Sequence, residues 1–257
     1  MSTYANFKGK LHISRRNMFL ASLVSLLLII LVFSVILYKM ADNDEENSSL
    51  VVEGFTPHVL ASNILYVKNE VELRNAVDNP VGASIVIAPT ADIYLTNSAL
   101  NIFNSVNVTL TIDSKHGVCK IFGATNNSTI IVEDGGVLIL DGIIITHEND
   151  VTGNGITVNS GGTVIMYSGI ISGNAEKNGG GVYNSGIFKL YGGQIFGNKA
   201  VNNGGGLYNI GDFEMCGGEI TNNLANKGGG GVYNRGVFNR LGGVISDNKA
   251  TRGYNWA

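Results

Sequence analysis

Past residue 150 the hydrophobic and polar positions alternate in short runs cut by glycine. In "GGGVYNSGIFKLYGGQIFGNKA" (Gly179–Ala200), Val182 and Asn184 fall on one side of an extended chain and Tyr183 on the other. Phe188 and Leu190 share a side opposite Lys189. A period of two over three or four residues is the signature of a strand, and the glycines between runs mark turns. The pattern returns as "GGGLYNIGDFEMCGGEITNNLA" and again as "GGGVYNRGVFNRLGGVISDNKA" from Gly229. The period is 25 residues, and it aligns Tyr183, Tyr208 and Tyr233. It also aligns Asn184, Asn209 and Asn234; Phe188, Phe213 and Phe238; and Ile195, Ile220 and Ile245. Weaker copies precede these, "NGITVNSGGTVIMYSGIISGNA" from Asn154 and "STIIVEDGGVLILDGIIITHEN" from Ser128.

Three short strands in each 25 residues predict one turn of a parallel β-helix, with equivalent residues piling into columns at coil spacings of about 4.8 Å. Four inward apolar residues per coil (Val182, Phe188, Leu190, Ile195) contribute roughly 6–12 kcal/mol if fully buried. A lone coil buries only part of that face, so the unit is stable only as a stack. Rival patterns fail: L-x-x-L-x-L of leucine-rich repeats is absent from these units, and no Asp follows the glycine triplets as the calcium-binding nonapeptide requires. A linker would not keep Phe, Tyr and Ile in register. A phosphate loop would carry one glycine motif with a Lys-Ser/Thr, not three copies without it.

Earlier, "NEVELRNAV" (Asn69–Val77) sets Leu73, Ala76 and Val77 on one helical stripe, with Asn69 and Glu72 at capping positions. It is expected to cover the open end of the first coil. "ASIVIA", "DIYLTN" and "NVTLTIDS" read as strands of less regular early coils. The total is about seven coils, roughly 34 Å of stack.

A different pattern occupies the start of the chain. Met18 to Tyr38 is uncharged and almost wholly apolar over 21 residues, long enough at about 1.5 Å per residue to cross a hydrocarbon core of roughly 30 Å. Lys8, Lys10, Arg15 and Arg16 precede it, and Asp42, Asp44, Glu45 and Glu46 follow. The positive-inside rule places the N-terminus in the cytoplasm and the rest outside. A cleaved signal would have a shorter apolar stretch and a better site than "YKMADND"; "SRRNMFL" resembles a twin-arginine signal with one residue too many. The expected organisation is a cytoplasmic basic tail (1–17), a transmembrane signal anchor (18–38), an extracytoplasmic stalk (39–63), the β-helix (64–252) and a truncated repeat or tail (253–257). Asn47, Asn107, Asn126 and Asn127 begin N-x-Ser/Thr triplets, compatible with glycosylation outside the cell but expected by chance in so Asn-rich a chain.

Composition narrows the picture. The 257 residues carry a net charge of -3 with 14% charged, which argues against a nucleic-acid partner. Thirty-five glycines with only 3 prolines and no Gly-X-Y period exclude collagen, and 44% apolar residues oppose disorder. Cys119 and Cys216 lie 97 positions apart, about four coils or roughly 19 Å along the axis. A disulfide needs Cα atoms within about 7 Å, so none is expected.

The units "GGGVYN-x-G-x-F…GG-x-I-x-x-N-x-A", with the opening "LYVKNEVELRNAV" and "IYLTNSALNI", resemble a known group. These are the right-handed parallel β-helix surface proteins of gut bacteria and methanogenic archaea, often called adhesin-like, within the pectate-lyase-like superfamily. The resemblance covers about residues 64–252 and speaks to fold, since this superfold hosts lyases, hydrolases, adhesins and tailspikes. It implies that an enzymatic member would carry Asp/Glu clusters for Ca²⁺ or the NTD, DD, GHG and RIK motifs. None of those four strings occurs, and "KHGV" at Lys115–Val118 lacks the first Gly.

Asp212 and Glu214 have the spacing of a carboxylate pair on one strand face, which glycoside chemistry needs, but alternation with Phe213 places them on the solvated exterior. His58, His116 and His147 show no ligand spacing, so no catalytic residue, metal or cofactor is expected. Two columns carry the binding expectation. Tyr183, Tyr208 and Tyr233 form an outward ladder able to meet sugar rings or another protein, or simply to stabilise adjacent strands at roughly 0.2–1 kcal/mol per pair. Asn184, Asn209 and Asn234 form an inward amide ladder, above the core stack of Phe188, Phe213, Phe238, Ile195, Ile220 and Ile245. Arg240 falls in the inward column of Leu190 and Met215, where an unpaired charge is costly. Either it reaches water at a frayed last coil or Trp256 helps cap the stack; an open coil there invites self-association. The expected protein is an all-β, right-handed parallel β-helix behind one transmembrane helix. It would be a single-pass membrane protein with its β-helix extracellular, acting without catalysis in adhesion or surface interaction with a polysaccharide or a neighbouring surface. The alternatives are a polysaccharide lyase or hydrolase, and a truncated fragment of a larger surface protein.

Overall fold

The computed structural model describes residues 64–253, apart from 104–105, 113–114, 125 and 149–150. The proposed tail, anchor and stalk, with His58 and Trp256, lie outside the described residues. Among the described residues no helix is long and apolar enough to cross a membrane.

Among the described residues, twenty-five short strands wind into a right-handed parallel β-solenoid of about seven turns. Four sheets run along its length, taken here in the order the chain visits them. Sheet 1 has eight strands, from Ile64–Val67 to Val237–Arg240, and sheet 2 has seven, from Ile93–Tyr94 to Val244–Ser246. Sheet 3 has four, from Ala175–Asn178 to Lys249–Ala250, and sheet 4 has six, from Leu100–Ile102 to Val232–Asn234. The pairing keeps the 25-residue register: Tyr183 faces Tyr208 and then Tyr233, Phe188 faces Phe213 and then Phe238, Ile195 faces Ile220 and then Ile245. Upstream the register loosens, Val164 pairing with Phe188 and Thr157 with Tyr183.

Sheet 3 departs from the three-strand expectation. It begins only in the fourth coil, and its strands are "AEKN", "KAVNN", "LA" and "KA". So Asn-rich a segment reads as a corner, and only Ala200 and Ala225 mark its inward side. Among the described residues no strand of an earlier coil lies beside its first strand, and that edge is closed by local groups. Gly153 N donates to Ala175 O at 2.7 Å, Lys177 N to its neighbour Glu176 Oε1 at 2.8 Å, and Asn154 Nδ2 to Asn178 O at 2.8 Å. Occupying backbone groups in this way blunts edge-to-edge pairing.

The core is one continuous column of aliphatic and aromatic side chains inside the coils. Val182, Phe188, Leu190 and Ile195 are fully buried, and the Phe rings stack at 5.5 and 4.7 Å between centroids. Helix α1 (Glu70–Asp78) buries Leu73, Ala76 and Val77 against the first strands of sheets 1 and 4. Asn69 caps it, accepting from Glu72 N at 2.9 Å, while the Glu72 carboxylate reaches back to Lys68 N at 2.9 Å. Arg74 ties the helix down by donating to Glu70 Oε1, Ala99 O and Ser98 O. Burial pushes the Glu70 carboxyl up, but the hydrogen bonds from Thr96 and Arg74 outweigh it and hold it below the ordinary carboxylate value.

Candidate functional site

Each Tyr of the outward column follows a buried aliphatic residue (Val182, Leu207 or Val232) in a sheet 4 strand, so alternation turns its ring to the surface. The three rings stack with centroids 5.3 Å apart and planes 11° apart, and each stays partly exposed. Because the faces are turned to one another, the column offers a ligand its ring edges and phenol hydroxyls. Thr157 continues the column upstream, its hydroxyl 2.7 Å from that of Ser128.

Beside this column, over the outer face of sheet 3, lies an open groove of about 680 Å³. Ala175, Val201, Leu224 and the chain at inward-facing Ala200 give it an apolar lining, and Asn126, Thr152, Glu176, Lys177, Lys199, Asn202 and Asn226 a polar rim. A second depression of about 720 Å³ shares Thr152, Ala175 and Lys199 with it and reaches Glu148 and Asn174. Nothing in the sequence announces this groove, because the short Lys-, Asn- and Ala-containing runs of sheet 3 do not look like strands.

Inside sheet 4, Asn184 Nδ2 donates to Asn209 Oδ1 and Asn209 Nδ2 to Asn234 Oδ1, both at 2.6 Å. The ladder starts abruptly: Asn184 Oδ1 is buried without a partner, and the residue before it in the column is Val158. A buried orphan acceptor costs about 1–3 kcal/mol. Val158→Asn would donate to Asn184 Oδ1 but leave its own Oδ1 facing buried Val132, which moves the orphan one coil upstream. With buried aliphatic surface lost as well, stability should fall by about 1–3 kcal/mol, read as a lower denaturant midpoint at unchanged slope; a higher midpoint would overturn this account of the ladder's end.

A second amide ladder, which the sequence reading left unassigned, runs at the corner between sheets 2 and 3. Asn174, Asn198 and Asn223 are buried, and each donates Nδ2 to the Oδ1 of the next, ending at Asn248, over 2.9–3.0 Å. Each Oδ1 also accepts the backbone N–H of the preceding Asn. His147 stands at the head of this ladder, its Nδ1 2.8 Å from Asn174 Oδ1.

The remaining sequence candidates are dispersed. Asp212 and Glu214 flank buried Phe213 on the outer face, where Glu214 lies 3.9 Å from Lys189 and accepts from Cys216 Sγ. His116 is exposed beside Tyr66. Cys119 and Cys216 are free thiols; burial raises both, with the Asp92 charge adding to Cys119 and Glu214 to Cys216. Arg240 pairs with Met215 in register, yet its side chain turns to solvent and donates to Gly243 O. Among the described residues no cluster of three or more His, Cys, Asp or Glu is placed to hold a metal ion. No protein-family model, curated protein or solved structure matches the chain.

Proposed function

We propose that this solenoid is a non-catalytic binding scaffold of the adhesin-like, pectate-lyase-like kind, displayed outside the cell on an N-terminal membrane anchor. Its ligand is a polysaccharide or glycan-bearing surface lying along the solenoid axis. The observation that carries this reading is the row of three half-exposed phenols at one per coil, beside a groove whose rim is rich in amides. With the ring faces occupied by their neighbours, recognition runs through hydrogen bonds from the hydroxyls, Asn202 and Asn226, with Lys177 and Lys199 favouring acidic sugars. Such a surface gains affinity by repetition along the ligand rather than by any one deep pocket.

The test is binding of the full chain to a panel of neutral and acidic polysaccharides, compared with a Tyr183→Ala, Tyr208→Ala, Tyr233→Ala triple variant. Affinity should fall at least tenfold while the β-sheet circular dichroism persists, since each lost stacked pair costs only about 0.2–1 kcal/mol. Unchanged binding in the triple variant would overturn the site. Release of reducing sugar or unsaturated product from a polyuronide would overturn the non-catalytic reading.

A further inference from the structure

His147 joins two parts of the solenoid. Its ring is buried, with 5% exposure, and each ring nitrogen meets one oxygen: Nδ1 lies 2.8 Å from Asn174 Oδ1 and Nε2 lies 2.9 Å from the backbone carbonyl of Asn127. The ladder fixes the orientation of Asn174. Its Nδ2 points to Asn198 Oδ1, already an acceptor from Asn174 N, and to Ile145 O at 3.4 Å. The Asn174 oxygen must therefore be the atom facing His147. A peptide carbonyl can only accept as well, so both oxygens demand a donor from the ring.

A neutral imidazole has one N–H. With the proton on Nδ1, the Nε2 lone pair confronts the Asn127 carbonyl; with the proton on Nε2, the Nδ1 lone pair confronts the Asn174 oxygen. Only the ring protonated on both nitrogens satisfies both contacts. Burial opposes a charged ring, whereas hydrogen bonds from a charged donor are roughly twice as strong as neutral ones. Among the described residues, Asn127, Asn174, Gly123 and Gly153 lie against the ring, and none of these four titrates. Glu148 follows it in the chain at the surface, and Glu176 and Lys199 line the adjoining groove.

We propose that His147 is a proton-operated clasp between the inner Asn ladder and the turn at 126–128. Charged, it holds both. Neutral, it keeps Nδ1–H on Asn174, where the ladder is rigid, and releases the Asn127 carbonyl. The turn it releases carries one rim of the groove: Asn126 sits there in a left-handed conformation (φ 60°), accepting from Thr152 Oγ1 at 2.6 Å. The groove rim therefore tightens in acid and loosens above neutrality, whatever ligand the groove takes. The sign follows from the two contacts: the ring protonated on both nitrogens makes both hydrogen bonds and the neutral ring makes one, so the clasp is closed in acid and opens as pH rises.

The experiment uses the full chain labelled with nitrogen-15 at histidine, with the His147 signals identified by their loss in His147→Asn. At about pH 5.5 both ring nitrogens should read as protonated; above about pH 8 one should read as bare. Amide exchange at 126–128 should accelerate about tenfold beyond its intrinsic pH dependence, with 182–184 unchanged. A ring with one bare nitrogen throughout that range overturns the proposal. In thermal melts of the same proteins, His147→Asn, whose amide offers Asn174 a donor without a charge, should lose the acid-side gain in Tm. An identical pH profile in variant and wild type also overturns it.

Discussion

Asn198→Ala should lower the melting temperature by about 8–16 °C. Asn198 is fully buried, and four hydrogen bonds meet at its amide. Its Oδ1 accepts from Asn174 N and Asn174 Nδ2, and its Nδ2 donates to Ile171 O and Asn223 Oδ1. Alanine leaves the Asn174 backbone N–H without its acceptor in a place water does not reach, and Asn174 Nδ2 keeps only the long contact to Ile145 O. Orphaning a buried group costs about 1–3 kcal/mol, and the vacated amide volume adds to it. A total of about 4 kcal/mol, at about 2–4 °C per kcal/mol for a body of this size, gives the stated shift. Asn226→Ala is the comparison: that side chain is exposed on the groove rim, and its loss should change stability by no more than about 0.5 kcal/mol. Melting both variants by circular dichroism decides the matter. Equal, small effects would mean that the inner ladder is ornament on a solenoid held by its apolar core.

That ladder also shows where reading residues in order reached its end. The 25-residue register was legible because each coil repeats the same inward apolar set, so Phe188, Phe213 and Phe238 announce both the strand and the stacking partner. Helix α1 was legible for the same kind of reason, its stripe and its Asn69 cap both being local. The Asn of "GG-x-I-x-x-N-x-A" was equally visible at the same period, yet nothing local says whether a polar residue at a corner faces water or the core. Only the close approach of consecutive coils turns Asn174, Asn198 and Asn223 inward. His147 was harder still. It precedes Asn174 by 27 positions, so it falls off the repeat, and its role depends on a carbonyl contributed by Asn127 one coil earlier. Sheet 3 was hidden by composition, because Lys, Asn and Ala in short runs are what loops contain; the groove, built on that sheet, was hidden with it. The Tyr column was legible from alternation and period together, its stacked rings included.

The glycine triplets yield the other large effect: Gly180→Ala should abolish cooperative folding of the coils around it. The three glycines are not equivalent. Gly179 has φ 65°, a left-handed turn. Gly180 has no such angle, but a Cβ on it would fall inside contact distance of Lys199 O and 2.7 Å from Gly205 O. Both obstacles are backbone of the next coil. The coils cannot part to make room, because Gly180 N donates to Gly204 O and Gly181 N to Gly205 O, each at 3.1 Å. One methyl group therefore sets the stacking of sheets 3 and 4 against itself, a penalty in the rare class above about 4 kcal/mol. Gly205 meets the same barrier from Leu224 O and Gly230 O, each at 2.5 Å, so Gly205→Ala should fail in the same way. Gly197 supplies the contrast. Its φ is also 65°, but a Cβ there meets nothing within 4 Å. The residues 25 and 50 positions further on are Asn222 (φ 56°) and Asp247 (φ 57°), so this corner already accepts short polar side chains. Gly197→Asn should stay within about 0.5 kcal/mol of wild type. Urea titration of the three variants measures the difference. A Gly180→Ala protein as stable as Gly197→Asn would mean that the coils are spaced more widely at this corner than the backbone hydrogen bonds require.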